Sequence, residues 1–134
     1  YKLAGFGFAT GPSVQAQGDT CFLDSAAEGF AFLSPEQLGA DLGGVGPASD
    51  VYSLGATLYA CAVAAAPFEG ESSVAIAAQI LRDPIPRLEG INGALATIIG
   101  RCLEKDPQDR YPDGNALLHE LGACRAALSG LGPL

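Results

Sequence analysis

Residues 48–68 read ASDVYSLGATLYACAVAAAPF, and no charge falls between Val51 and Ala66. The apolar residues of this run are not confined to one stripe, and a helix that is hydrophobic all round belongs at the centre of a core. Ser49 or Asp50 is placed to cap its start and Pro67 to stop it. A membrane span is the rival. The run falls short of the roughly 20 apolar residues that a bilayer requires, and Gly55, Thr57 and a series of alanines dilute it. The expectation is a buried central helix.

The whole chain has 134 residues, 49% of them hydrophobic, which makes it one domain or a piece of one with enough apolar mass to build a core. Its formal net charge is −8, and no Lys or Arg occurs between Leu3 and Leu81. Neutralising phosphates needs clustered cations, so nucleic acid and anionic membrane surfaces are excluded as partners. Cys21, Cys61, Cys102 and Cys124 form no Cys-x-x-Cys pair, and three of them fall on apolar helix faces. They read as reduced core thiols in a reducing compartment, and the expected location is cytoplasmic. The chain opens at Tyr1 without Met or a charged-then-apolar leader, so further sequence is expected upstream.

Outward from the central helix, the N-terminal side begins with a short strand at Tyr1–Leu3 that runs into glycines 5, 7 and 11. That spacing does not make a dinucleotide loop, because Pro12, Gly18 and the polar residues between them forbid the helix such a loop must open. No period holds from Thr10 to Glu28, where Ser13, Thr20 and Ser25 are candidate phosphoacceptors or ordinary loop polars. Gly29-Phe30-Ala31-Phe32-Leu33-Ser34-Pro35-Glu36 is an apolar turn meeting a short helix, with Pro35 near its first position. A Gly-rich linker from Gly39 to Pro47 follows.

On the C-terminal side, Ser72 or Ser73 caps a helix whose Val74, Ala77, Ala78 and Leu81 keep a 3-4-7 spacing, and Asp83-Pro84-Ile85-Pro86 ends it. Leu95, Ile98, Ile99, Cys102 and Leu103 form the cleanest amphipathic stripe, in a helix capped near Asn92. Leu117, Leu121, Cys124 and Leu128 form the next. His119, the only histidine, lies opposite that stripe and faces solvent or a partner. A lone histidine is neither a metal site nor a catalytic pair.

In this order the segments resemble the C-terminal lobe of a eukaryotic-type Ser/Thr protein kinase, from the metal-binding Asp-Phe-Gly motif to the last helix. Lys2-Leu3-Ala4-Gly5-Phe6-Gly7 resembles the strand and that motif. Gly29 through Glu36 resembles the Gly-Thr-x-x-Tyr-x-Ala-Pro-Glu stretch, and Ser49 through Gly55 the family's central helix. Pro67-Phe68-Glu69-Gly70 and Cys102 through Tyr111 complete the set. The resemblance implies a mainly α, C-lobe-like helical domain without the N-terminal lobe. Residues 1–38 would hold the degenerate motif, activation segment and substrate loop, and residues 39–134 the helical subdomain. It also implies that Glu36 pairs with Arg110, and that Asp50 sits where the family's aspartate accepts N–H groups from the catalytic loop.

The departures bear on function. The family's metal-binding aspartate is replaced by Gly5, which has no ligand oxygen, and the threonine expected after the loop glycine is read as Phe30. No Gly-rich phosphate loop, strand lysine or His-Arg-Asp loop occurs in these residues. A phosphate on Thr20 or Ser25 would find no arginine nearby in sequence. The resemblance therefore implies a catalytically inactive, pseudokinase-like lobe with no catalytic residue, metal or cofactor, acting as a protein-interaction or scaffold module. Phe30, Phe32 and Leu33 are its candidate peptide or partner surface. A protein partner, or the missing N-terminal part of the same polypeptide, would seat against the central helix. The alternatives are the C-lobe of an active kinase whose ATP-binding lobe lies upstream, and a structural subunit of a larger assembly.

Overall fold

The structure, a computed structural model, describes residues 29–130. Gly5, Phe6, Gly7, Ser13, Thr20, Cys21 and Ser25, and the strand expected at Tyr1–Leu3, lie outside these residues. Four α-helices and two 3-10 turns make up the described part, and no strand occurs in it.

A short helical turn at Gly29 and Phe30 leads to the 3-10 turn Pro35–Leu38. Its start is fixed by Ser34, whose hydroxyl accepts the Gln37 N–H while the Gln37 carboxamide oxygen accepts the Ser34 N–H, a reciprocal capping box. Gly39 ends it at φ 90°, a left-handed conformation that glycine adopts without steric penalty.

The central helix α1, Pro47–Val63, sits in the core as expected, with Val51, Tyr52, Gly55, Ala56 and Tyr59 buried. Its ends differ from the expected ones. Gly46 is the cap and Pro47 the first helical residue, while Ser49 accepts the Gly46 N–H through its hydroxyl at 3.1 Å. Pro67 does not itself end the helix. The turn closes at Ala64 in the left-handed region (φ 59°), one residue past Val63, whose carbonyl the Pro67 ring would strike in a continued helix. Nor is α1 enclosed on every side, since Asp50, Leu54, Thr57 and Cys61, spaced four, three and four residues apart, form one exposed stripe. Cys61 is thus a surface thiol and not a core one. Cys102 is buried and Cys124 half-buried.

Helix α2, Ser73–Arg82, is capped by Ser72, whose hydroxyl accepts the Ala75 N–H, and Asp83 closes its far end. The buried face is Ile76 and Ile80; Val74 is 77% exposed and Leu81 40%. The expected stripe was the wrong one of two that fit a 3.6-residue period. The β-branched isoleucine pair meets Tyr52, Tyr59 and Phe68 in the core, leaving Val74 outside. Helix α3, Gly93–Cys102, follows its expected form. Asn92 accepts the Ala94 and Leu95 N–H groups, and Ile98, Ile99, Cys102 and Leu103 are buried. Helices α1 and α3 pack closely at Gly55, where an added Cβ would overlap Cβ of Cys102.

The last helix, α4, Gly114–Gly130, buries only Leu117, with Leu121 and Cys124 half-buried. Leu128 is 44% exposed, so the expected stripe is buried at its first turns alone. His119 is exposed, on the side opposite Leu117. Among the described residues no helix is long and apolar enough to cross a membrane.

Candidate functional site

Two features gather the polar and exposed apolar groups that the sequence singles out. The first is an ion-pair knot at the base of α1. Arg110 Nη1 donates to Glu36 Oε1 at 2.7 Å and Nη2 to Oε2 at 2.9 Å, with both side chains fully buried. Arg110 also donates through Nε to the Glu104 carbonyl, through Nη1 to that of Ala48 and through Nη2 to that of Lys105. All five guanidinium N–H groups are thereby used, which is what a buried arginine requires. Ser49 Oγ donates to Glu36 Oε1 at 2.7 Å, and the Tyr52 ring lies under the guanidinium at 4.9 Å. Burial alone would push the Glu36 carboxyl up, but the hydrogen bonds from Arg110 and Ser49 prevail and hold it below its ordinary value.

Sequence reasoning found Glu36 and Arg110 and missed Ser49, which it treated only as a helix cap. A hydroxyl in the first turn of a helix is ambiguous, because it can bond the helix's own N–H groups or a neighbour. Ser49 does both. Asp50, one residue on, is exposed at the start of the open α1 stripe.

The second feature is an apolar cleft of about 330 Å³ lined by Ala31, Phe32, Ala66, Phe68, Glu69, Gly70 and Ile76. Ser53 Oγ donates to the Phe32 carbonyl at 2.7 Å, tying the loop that carries Phe32 to α1. Of the three residues predicted for a partner surface, only Phe32 lines the cleft. Phe30 is half-buried and packs on the same core cluster, and Leu33 is half-buried. Behind the cleft the Lys105 ammonium lies 4.5 Å from the Phe68 ring, with no hydrogen-bond partner among the described residues. Burial weakens its hold on its proton, while the charge of Asp83 acts the other way. No cluster of three or more metal-ligating side chains occurs among the described residues.

The comparisons with known proteins agree with this geometry. The protein kinase domain model matches residues 1–121. The serine/threonine-protein kinase PknB of Mycobacterium tuberculosis is 39% identical over 115 residues, 82% of this chain and 18% of its relative. PknA of Corynebacterium glutamicum is 34% identical over 125 residues, 92% of this chain and 26% of that kinase. PknL of Mycobacterium tuberculosis is 32% identical over 132 residues, 96% of this chain and 32% of that kinase. The chain belongs to the protein kinase family, and it spans less than a third of the length of these curated relatives.

With Glu36 anchored by the knot and Pro35 next to it in sequence, the substrate-loop motif can be counted backwards. From its glycine to its glutamate the motif has nine positions, whereas Gly29 to Glu36 provides eight. Its tyrosine therefore falls on Phe32 and its threonine on Gly29, one residue before Phe30. Neither Gly29 nor Phe30 carries a hydroxyl, so the conclusion that this group is missing is unchanged.

Proposed function

We propose that this stretch is a catalytically silent lobe of a protein kinase domain that works by binding protein. The observation carrying the first half is Gly5. It stands where the family places the carboxylate that holds magnesium on the phosphates of ATP, and glycine offers no ligand oxygen there. The intact Glu36–Arg110 knot serves a working kinase equally well, so it does not discriminate between the two. A working kinase completed by an ATP-binding lobe elsewhere in the polypeptide would need a substitute ligand for Gly5.

Support for the second half comes from the open side of α1. Asp50, Leu54, Thr57 and Cys61 are exposed along a helix whose Val51, Tyr52, Ala56 and Tyr59 lie in the core. In this reading that stripe is the seat of a protein partner or of another part of the same polypeptide. The test is to prepare residues 1–134 alone and measure their mass by light scattering together with the binding of a dye that reports exposed apolar surface. Self-association or dye binding is the expected result. A well-folded, dye-silent monomer would show that the chain closes its own core and has no need of a neighbour on α1.

A further inference from the structure

Lys105 connects the two features of the site. Its carbonyl accepts Nη2 of Arg110 at 3.0 Å, which ties its backbone to the knot, and its side-chain nitrogen lies 4.5 Å from the Phe68 ring, behind the cleft. That nitrogen is shut off from water and has no hydrogen-bond partner among the described residues. An ammonium there leaves three donors unpaired, and stacking on a ring returns less than their desolvation costs. A neutral amine loses far less in the same seat, and burial weakens the group's hold on its proton in keeping with this.

The surrounding charges mark out a second seat. Asp83, at the end of α2, acts most strongly on the ammonium and favours it; Arg110 of the knot opposes it, and Glu104, its neighbour in the chain, favours it. Asp83 is exposed, and its N–H bonds the Gln79 carbonyl at 2.8 Å, so its backbone is fixed to the last turn of the helix. A cation drawn there also meets the negative pole of α2. The Lys105 side chain is half-buried, and no directional bond holds its head in place, so rotation about its own bonds carries the nitrogen outwards.

We propose that Lys105 is a latch with two positions chosen by its charge: neutral, it braces the Phe68 ring from behind, and protonated, it swings to the Asp83 carboxylate and pins the end of α2. Its carbonyl remains on Arg110 in both, so the same anchor holds the Phe68 loop in one state and α2 in the other. The exchange falls below lysine's ordinary 10.5, with the Phe68 seat filling as pH rises. The latch does not depend on protein binding by the lobe.

Nuclear magnetic resonance of the polypeptide that carries these residues at its natural length, isotope-labelled at lysine Cε, tests this; the Lys105 signal is the one that Lys105→Met removes. Protons above an aromatic face resonate upfield. Over a titration from about pH 7 to 11, the Lys105 ε-protons are expected to move upfield as pH rises, with a midpoint below 10.5 and with through-space contacts to the Phe68 ring appearing in the same step. Asp83→Asn, at an exposed position, removes the outer seat and should lower the midpoint by about half a unit, roughly a threefold change in proton affinity. Ring contacts that persist unchanged across the titration, a midpoint at 10.5 or above, or a midpoint unmoved by Asp83→Asn would overturn the latch.

Discussion

Arg110 and Glu36, 74 residues apart in the chain, meet through two parallel hydrogen bonds of 2.7 and 2.9 Å with both side chains excluded from water. The pair joins the loop after α3 to the turn before α1, and its remaining donors hold the carbonyls of Ala48, Glu104 and Lys105. Removing either partner strands a charge in the core, at a cost of about 3–5 kcal/mol. Arg110→Ala is therefore expected to lower the urea midpoint severely. Arg125→Ala, at an exposed site on α4, should stay within about 0.5 kcal/mol of the parent. Arg110→Lys should also fall well short, because an ammonium cannot reproduce the two-pronged contact. Equal midpoints for Arg110→Ala and Arg125→Ala would show that the pair contributes nothing.

The same neighbourhood sets how stability responds to pH. The Glu36 carboxyl is held below its ordinary value of 4.5, so its contribution is complete above that pH and is lost as pH falls through the lower folded-state value. At the alkaline end, burial pushes Tyr52 from 10.0 up to about 12 and Cys102 from 9.0 up to about 11. Their contributions are complete below 10 and 9 respectively and are lost as pH rises towards those raised values. The urea midpoint measured from pH 8 to 12 should fall across this window, and Tyr52→Phe should flatten its upper part.

Tyr52 carries a second expectation at neutral pH. Its hydroxyl is buried with no hydrogen-bond partner among the described residues. Deleting an unsatisfied polar atom relieves its desolvation, so Tyr52→Phe should leave stability unchanged or raise it by up to about 1 kcal/mol. A loss greater than 1 kcal/mol would mean that the hydroxyl is bonded.

Two glycines in helices should respond to alanine with opposite signs. At Gly55 the new Cβ would overlap Cys102 across the α1–α3 contact, and such overpacking costs about 1–3 kcal/mol. At Gly100, inside α3, nothing lies within 4 Å of an added Cβ, so alanine's better helix propensity should add about 0.5–1 kcal/mol. Thermal or urea midpoints of the two variants check both. A stabilising Gly55→Ala would mean that α1 and α3 do not meet closely at Gly55 and Cys102.

The parts of the fold that the sequence made legible are those where one signal has one interpretation. Uncharged length identified α1, an asparagine before an apolar period located α3, and the loop motifs led to Glu36 and Arg110. Where two answers share a period, sequence alone could not choose. Val74 and Leu81 fit a helix stripe as well as Ile76 and Ile80 do, and only the position of the Phe68 cluster decides between them. The open face of α1 was equally hidden, because Leu54 and Cys61 are as apolar as their buried neighbours. Ser49 was named for its place at a helix start, whereas its bond to Glu36 comes from a turn 13 residues away.

Phosphate transfer is the most direct test of the central claim, that a kinase lobe with Gly5 in place of the metal-binding acid is catalytically silent. The polypeptide carrying these residues at its natural length would be incubated with magnesium and γ-labelled ATP, alone and with a basic acceptor protein, and incorporation counted. The account predicts no incorporation above background, and none from residues 1–134 bearing Gly5→Asp, since one restored carboxylate supplies neither a phosphate loop nor a catalytic base. Incorporation by the unaltered polypeptide that requires magnesium and disappears with Arg110→Ala would contradict it.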